Sequence, residues 1–359
     1  MRISTLSNAA VVHTRRWVEH LRARGHEVRA WSLEPAPPGL DVERLPSAPL
    51  PGVVRYPLAA PALARALAAF RPQLVDAHFV PNYGLLGALV GRHPLSVAAW
   101  GSDLLVSGGR GALQRARTRF VLSRADLVLA DAENLAAAAV ALGAPRERVR
   151  AIPWGVDRAR FAPAAERTPG LLLSTRMHEE VYDLGTLLRG VAPVLAGRPG
   201  AQLVIAGDGS LRGALERQAA ALLPAGRFRF VGRLEPAELA GWLSRAEVYL
   251  SASRSDSTSL SLLEAMSAGA LPVVSDIEGN REWVAEGDGA RLFACGDADA
   301  VTRALEAALG DAGWAAAARA RNARVVAERG DWQRNFARIE AAFEALASGR
   351  PLPPAGGAS

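Results

Sequence analysis

Residues 255–276 read SDSTSLSLLEAMSAGALPVVSD. Apolar residues at 260, 262, 263 and 266 have helical spacing, and Gly269 stops the helix before the strand-like LPVV. The preceding AEVYLSAS is a strand candidate, so the order is strand, polar loop, helix, strand. That order belongs to a parallel sheet. Two carboxylates, Asp256 and Glu264, flank the small and hydroxyl-bearing Ser257, Thr258 and Ser259 and the helix start at Leu260. One reading makes Ser261 and Glu264 an S-x-x-E capping box that only closes the helix. The other uses the helix start as a phosphate site, where backbone N–H groups and the helix dipole favour an anion. A carboxylate inside that helix can accept from a ribose diol, and one on the loop from sugar hydroxyls. A diphosphate with a sugar at each end needs that series of acid, amides and acid.

The same alternation extends outward. RISTLS, EVRAWSL, LVDAHF, SVAAW, ADLVLAD and RVRAIP are strand candidates next to helix-length segments. PWGVDRARFAP interrupts the rhythm, which resumes with LLLSTR, AQLVIAG, RFRFVG, AEVYLSAS, LPVVSD and ARLF. Two such series predict an α/β protein with two doubly wound, Rossmann-like domains facing a central cleft. The expected division is 1–160 for an N-terminal Rossmann-like domain and 161–330 for a C-terminal one. A helix over 331–348 and a Pro/Gly-rich disordered tail over 349–359 complete it.

Composition narrows the function. The chain has no lysine, so all 42 basic residues are arginine, which excludes Schiff-base and Walker-type lysine chemistry. Its single cysteine, Cys295, excludes an internal disulfide framework. No run of about eighteen uncharged apolar residues predicts a spanning helix, and a cytoplasmic protein is expected. Residues 1–165 hold 21 Arg and 12 acids, whereas residues 166–359 hold 21 Arg and 24 acids. A basic first half suits a phosphorylated substrate or peripheral contact with an anionic membrane surface, and nothing suggests nucleic acid.

SDSTSLSLLEAMSAGALPVVSDIEGNREWV resembles the donor signature of the retaining GT-B glycosyltransferases of the family 4 type, in which two glutamates are separated by seven intervening residues. Asp256 and Glu264 hold those places, with Asp replacing the first Glu. AGDGSLRGAL, FVGRLEPAELAGWLSRAEVYLSAS, IPWGVDRARFAP and DWQRNFARIEAAFEAL extend the similarity over most of the chain. The resemblance implies a metal-independent hexosyltransferase that takes a nucleoside-diphosphate sugar and a hydroxyl acceptor and has no cofactor. It gives Glu264 the ribose, Asp256 the transferred sugar, and the amides of Ser257–Leu260 the sugar and diphosphate. Relatives place an Arg and, six residues later, a Lys on the diphosphate. Arg176 matches the first, and Tyr182 stands where the Lys would be. Gly232 and Arg233, in VGRLEP, are expected near the base, where Arg233 could replace the missing charge.

In the first half, His78 ends the strand LVDAH, where relatives carry a His near the reacting sugar. It joins Arg176 and Asp256 as an expected catalytic residue. Asn8, His13, Asn82, Trp100 and Asp103 lie in loops after strand candidates and are expected on the acceptor side. Trp100 replaces a family His, and Ala9 and Ala10 replace a Gly-rich loop. Asp297 and Asp299 form a D-x-D pattern, read as a helix cap rather than a metal site. No other cluster suggests metal. A nucleotide-sugar epimerase or hydrolase of the same fold, or a non-catalytic sugar-nucleotide-binding partner of another transferase, are the alternatives. A nicotinamide dehydrogenase is disfavoured because GDGSLRG puts Arg212 at the last glycine position of G-x-G-x-x-G.

Overall fold

The computed structural model describes residues 1–47, 49–92 and 94–354. They form two compact units, Met1–Ile152 with Ala337 onward, and Pro153–Phe336.

The first unit has strands β1 (Arg2–Leu6), β2 (Glu27–Ser32), β3 (Glu43–Arg44), β4 (Leu74–His78), β5 (Leu95–Ala98), β6 (Leu127–Ala130) and β7 (Val149–Ala151). Its helices are α1 (Val12–Ala23), α2 (Gly52–Phe70), α3 (Leu85–Val90), α4 (Ala112–Arg124) and α5 (Glu133–Ala141). The strands are parallel, in the order β3-β2-β1-β4-β5-β6-β7. Every residue of β4, β5 and β6 is buried, as a sheet covered on both faces requires.

The second unit has strands β8 (Leu171–Ser174), β9 (Gln202–Ala206), β10 (Phe228–Gly232), β11 (Val248–Ser251), β12 (Leu271–Ser275), β13 (Ala285–Glu286) and β14 (Gly289–Phe293). Its order is β10-β9-β8-β11-β12-β14-β13, again parallel. Helices α6 (Leu184–Gly197), α7 (Arg212–Leu222), α8 (Pro236–Arg245), α9 (Leu260–Ala268), α10 (Glu278–Arg281), α11 (Ala298–Gly310) and α12 (Ala312–Arg329) cover it, and α13 (Trp332–Ala347) follows. In each sheet the strand order reverses once, between β1 and β4 and between β8 and β11. Ligands of open α/β sheets bind outside the strand ends at such a switch.

The boundary lies eight residues earlier than the sequence suggests. Val156 bonds to the Gly330 carbonyl (2.8 Å) and accepts from the Trp332 N–H (3.0 Å), and Phe161 is in the second unit's core. Gly155 permits the approach, at φ +80° and with room for no Cβ: one would sit 2.7 Å from the Gly330 carbonyl oxygen. Beyond Ala337, α13 belongs to the first unit, where Glu340 meets His26 Nε2 (3.0 Å) and Arg24 Nε (3.1 Å). The tail expected to be disordered is seated as far as it is described. Arg150 Nε donates to the Pro353 carbonyl (2.6 Å), because a mostly buried guanidinium needs acceptors. Residues 355–359 of that expectation lie outside the described residues.

Candidate active site

At the second unit's switch, β8 delivers Arg176 and β11 delivers the loop that carries Asp256. Arg176 is 7% exposed. Its Nη2 donates to both Asp256 oxygens (3.0 and 2.8 Å), and its Nη1 to Ser259 Oγ (2.8 Å) and Ser261 Oγ (3.3 Å). The Tyr182 ring lies over the guanidinium, 4.3 Å from centroid to Cζ. Burial works against the Arg176 charge, but Asp256 more than offsets it, and the pKa is raised. Tyr182 therefore does not supply the missing cation; its ring holds the Arg176 plane in place. Arg233 lies exposed in the turn after β10, and the groups bonded to Arg176 are Asp256, Ser259 and Ser261. Gly232 has φ +72°, and its carbonyl accepts from the Gly207 N–H (2.7 Å), which joins the turns after β9 and β10.

Helix α9 begins one step away from the capping-box reading. Ser259 is the N-cap, with its hydroxyl accepting from the Leu262 N–H, and Ser261 is already inside the helix. Glu264 is therefore not the capping partner, and it stands half-buried on the helix beyond the first turn. The loop before α9 is fixed from behind. Ser257, Thr258 and Ser259 are all buried, and Trp283 Nε1 donates to Thr258 Oγ1 (3.3 Å). Gly279 packs so close that a Cβ would lie 2.1 Å from the Ser257 carbonyl oxygen. Gly269 ends α9 at φ +79°, as its place in the sequence implies.

Sequence reasoning missed a second ion pair. Asp183, at φ +43°, caps α6 and accepts from Arg254 Nη2 (2.8 Å) and Nε (3.1 Å). It ties the loop after β8 to the segment leading into Asp256. An acid before an apolar helix signals the cap but not this distant arginine. Asp297 is a cap, accepting from the Ala300 N–H (2.8 Å), so the D-x-D pattern is accounted for by α11.

The first unit's switch carries a different cluster. His78 is 2% exposed, and its Nε2 lies 3.0 Å from Asp76 Oδ2, which also accepts from Trp17 Nε1 (2.9 Å). With the carboxylate accepting, the His78 proton is assigned to Nε2. Trp17 meets the imidazole edge to face at 4.8 Å, Trp100 contacts it at 5.5 Å, and His13 stacks on Trp100 at 5.2 Å. Burial, helped by the Arg16 charge, lowers the His13 pKa to about 4. The switch therefore presents aromatic rings, with the nearby Asp76 and Asp103 both fully buried.

Three expected residues of this unit make their described contacts within it. Asp103 is fully buried and accepts from the Val80 and Trp100 N–H groups (3.0 Å each), joining the loops after β4 and β5. Burial, resisted by those backbone bonds, raises its pKa to about 6. Asn8 builds the turn into α1, accepting from the Ala10 N–H (2.9 Å) with its side chain and from Thr14 Oγ1 (2.7 Å) with its carbonyl. Both hold backbone because tight strand-to-helix turns leave N–H groups that need acceptors. His78, expected to be catalytic, packs among Asp76, Trp17 and Trp100. Asn82 is half-buried in a π-helical turn over Phe79–Gly84 that opens with Phe79 at φ +72°.

The description "Glycosyl transferases group 1" matches residues 168–311, and "Glycosyl transferase 4-like domain" matches residues 8–155. A GDP-mannose-dependent alpha-mannosyltransferase of Mycolicibacterium smegmatis is 30% identical over 301 residues, 75% of this chain and 76% of that protein. The chain belongs to the group 1 glycosyltransferases, of the family 4 type. A phosphatidyl-myo-inositol mannosyltransferase of the same organism is 33% identical over 208 residues, 54% of this chain. That match spans 51% of the relative's length. Among solved structures, Anabaena Alr3699/HepE in complex with UDP-glucose has a TM-score of 0.82 at 16% identity, covering 96% of this chain and all of that one. A sucrose-phosphate synthase from Thermosynechococcus elongatus has a TM-score of 0.82 at 17% identity, covering 97% and 100%. These likenesses show the GT-B fold.

Proposed function

We propose that this group 1 glycosyltransferase moves a hexose from a nucleoside-diphosphate sugar to a hydroxyl acceptor, with retention and without a metal. The observation that carries the reading is Arg176, buried between Asp256 and the first turn of α9. In it Glu264 takes the ribose hydroxyls, Asp256 the hexose, and the α9 amides with Arg176 the departing diphosphate. Charge grows on that leaving group in the transition state, and a fixed guanidinium beside a helix N-terminus stabilises it without reorganising. Gly232 and Arg233 belong to the base end of the donor. Trp100 and His13 offer ring faces that suit the C–H surface of a sugar acceptor.

The names of the mannosyltransferase relatives make GDP-mannose the first donor to test, and an acceptor hydroxyl borne by a lipid the first acceptor. The experiment is a thermal-shift panel of nucleotide sugars followed by turnover in EDTA. A donor at a hundred times its dissociation constant adds about 2.7 kcal/mol of stability. The reading expects one diphosphate sugar to stand out and turnover to survive chelation. No stabilisation by any donor, or activity lost to EDTA and restored by manganese, would overturn it.

A further inference from the structure

A guanidinium carries its N–H donors on Nε and on the two Nη atoms. In Arg176 both Nη atoms are engaged. Nη2 donates to the two Asp256 oxygens (3.0 and 2.8 Å), and Nη1 to Ser259 Oγ (2.8 Å) and Ser261 Oγ (3.3 Å). Nε has no hydrogen-bond partner, but it is shut off from the surface. The Tyr182 ring covers one face of the plane, 4.3 Å from its centroid to Cζ. The protein itself thus holds the donors that could reach a diphosphate, and an arriving diphosphate has to take one over.

The exchange falls to Asp256. Its side chain is 16% exposed, against 7% for Arg176. Ser259 is tied into the start of α9 as its N-cap, and Ser261 belongs to the helix. The backbone of Asp256 is held from behind by Gly279, where a Cβ would stand 2.5 Å from the Asp256 carbonyl oxygen. The movable part is therefore the Asp256 carboxylate, which turns about its own side-chain bonds. What it meets after turning depends on the ligand. A diphosphate sugar brings hexose hydroxyls, which donate to Asp256 and replace the bonds that it gives up. A bare nucleoside diphosphate brings no hexose, and its terminal phosphate is a monoester that carries further charge at neutral pH. Asp256 then loses its cation and faces an anion.

We propose that the Asp256–Arg176 pair makes the site select a nucleoside-diphosphate sugar over the bare nucleoside diphosphate. Asp256 is in this sense a specificity-determining residue. It competes for Arg176 unless hexose hydroxyls engage it, and it drives out the spent nucleotide once the hexose has left. The selection rests on the donor reading above, in which Arg176 meets the diphosphate and Asp256 the hexose.

The test is calorimetric titration of GDP and GDP-mannose, UDP and UDP-glucose, and ADP and ADP-glucose into wild type, Asp256→Asn, Asp256→Ala and Glu264→Ala. In whichever pair binds, both Asp256 variants should hold the bare nucleotide about tenfold more tightly, because like charges a few ångströms apart near a protein surface repel by at least that factor. The preference for the sugar nucleotide, read as the ratio of the two dissociation constants, should fall by about tenfold or more. Damage to the fold weakens both ligands, so tighter binding of the bare nucleotide is a result that a merely structural role cannot give. Asp256→Asn keeps the shape of the side chain, which leaves a folded variant if Asp256→Ala melts early. Glu264→Ala should weaken both members of a pair alike, since both carry the ribose, and leave the ratio unchanged. A bare nucleotide bound no more tightly by either Asp256 variant than by wild type would overturn the selection and leave the donor reading standing. Binding of no pair by any of the four proteins would overturn both.

Discussion

The two switch points occupy equivalent places in sheets of similar strand order, but their chemistry differs. In the second unit a cation, a carboxylate and two serine hydroxyls converge beside the start of α9. In the first unit His13, Trp100, His78 and Trp17 form a run of rings, and the carboxylates beside them, Asp76 and Asp103, are sealed inside. One fold thus supplies two kinds of surface through the residues that follow its strands. An ionic switch suits a diphosphate, which needs charge and N–H donors. An aromatic switch suits a polyhydroxyl partner, which offers C–H faces and no charge.

The largest effect should come from breaking the ionic switch. Arg176→Ala removes the guanidinium that both Asp256 oxygens accept from, and breaking a largely buried pair costs about 3–5 kcal/mol. Turnover should fall by about 100-fold or more, because a donor to the developing charge is lost. Replacing both partners, as Arg176→Met with Asp256→Leu, should recover most of the stability in urea unfolding but none of the turnover. If the double variant regained activity, the pair would serve structure alone.

A smaller effect sharpens the role of Tyr182. Tyr182→Phe keeps a ring over Arg176 and should be nearly silent. Tyr182→Ala should cost about 0.5–2 kcal/mol, the range of a cation–π contact at a partly desolvated site. Equal losses in the two variants, measured as stability and kcat side by side, would shift the role from the ring to the hydroxyl.

The smallest expected effect belongs to the aromatic switch and depends on pH. The His13 pKa falls from 6.5 to about 4 on folding, so the folded protein disfavours the imidazolium. The stability that depends on neutral His13 is present above pH 6.5 and is lost as pH drops from there toward 4. His13→Gln lacks this loss. The melting temperature of the wild type minus that of the variant should therefore shrink on acidification through that window. Asp103 titrates in both proteins and drops out of the difference. A gap that stays constant with pH would mean that His13 is not held neutral.

How far the sequence could be read follows from these same residues. The fold was legible because central parallel strands such as β6, β8 and β11 are buried apolar runs, and the twelve longer strands among the described residues all fall on strand candidates, even β10, which has no buried residue. The two strands it did not reveal, β3 and β13, are two residues each, too short to carry a pattern. Arg176 and Asp256 were legible as individual residues, but not as a pair, because 80 positions separate them and only the sheet brings them together. Asp76 was passed over, although a carboxylate inside the apolar strand LVDAH requires a buried partner, and it has two in Trp17 and His78. Asp103 and Asn8 were read as facing a ligand when they face backbone. A sequence shows that a loop residue is polar but not which N–H groups the loop leaves unsatisfied.

The central claim is that the second unit's switch holds the nucleotide and the first unit's does not. The most direct measurement is calorimetric titration of a nucleoside diphosphate, GDP first, into wild type, Glu264→Ala and Trp100→Ala. Glu264→Ala should weaken binding by about 10- to 150-fold, the equivalent of about 1.5–3 kcal/mol for hydrogen bonds to a charged group. Trp100→Ala should leave the dissociation constant unchanged. Normal affinity in a folded Glu264→Ala protein, with affinity lost in Trp100→Ala, would contradict the account.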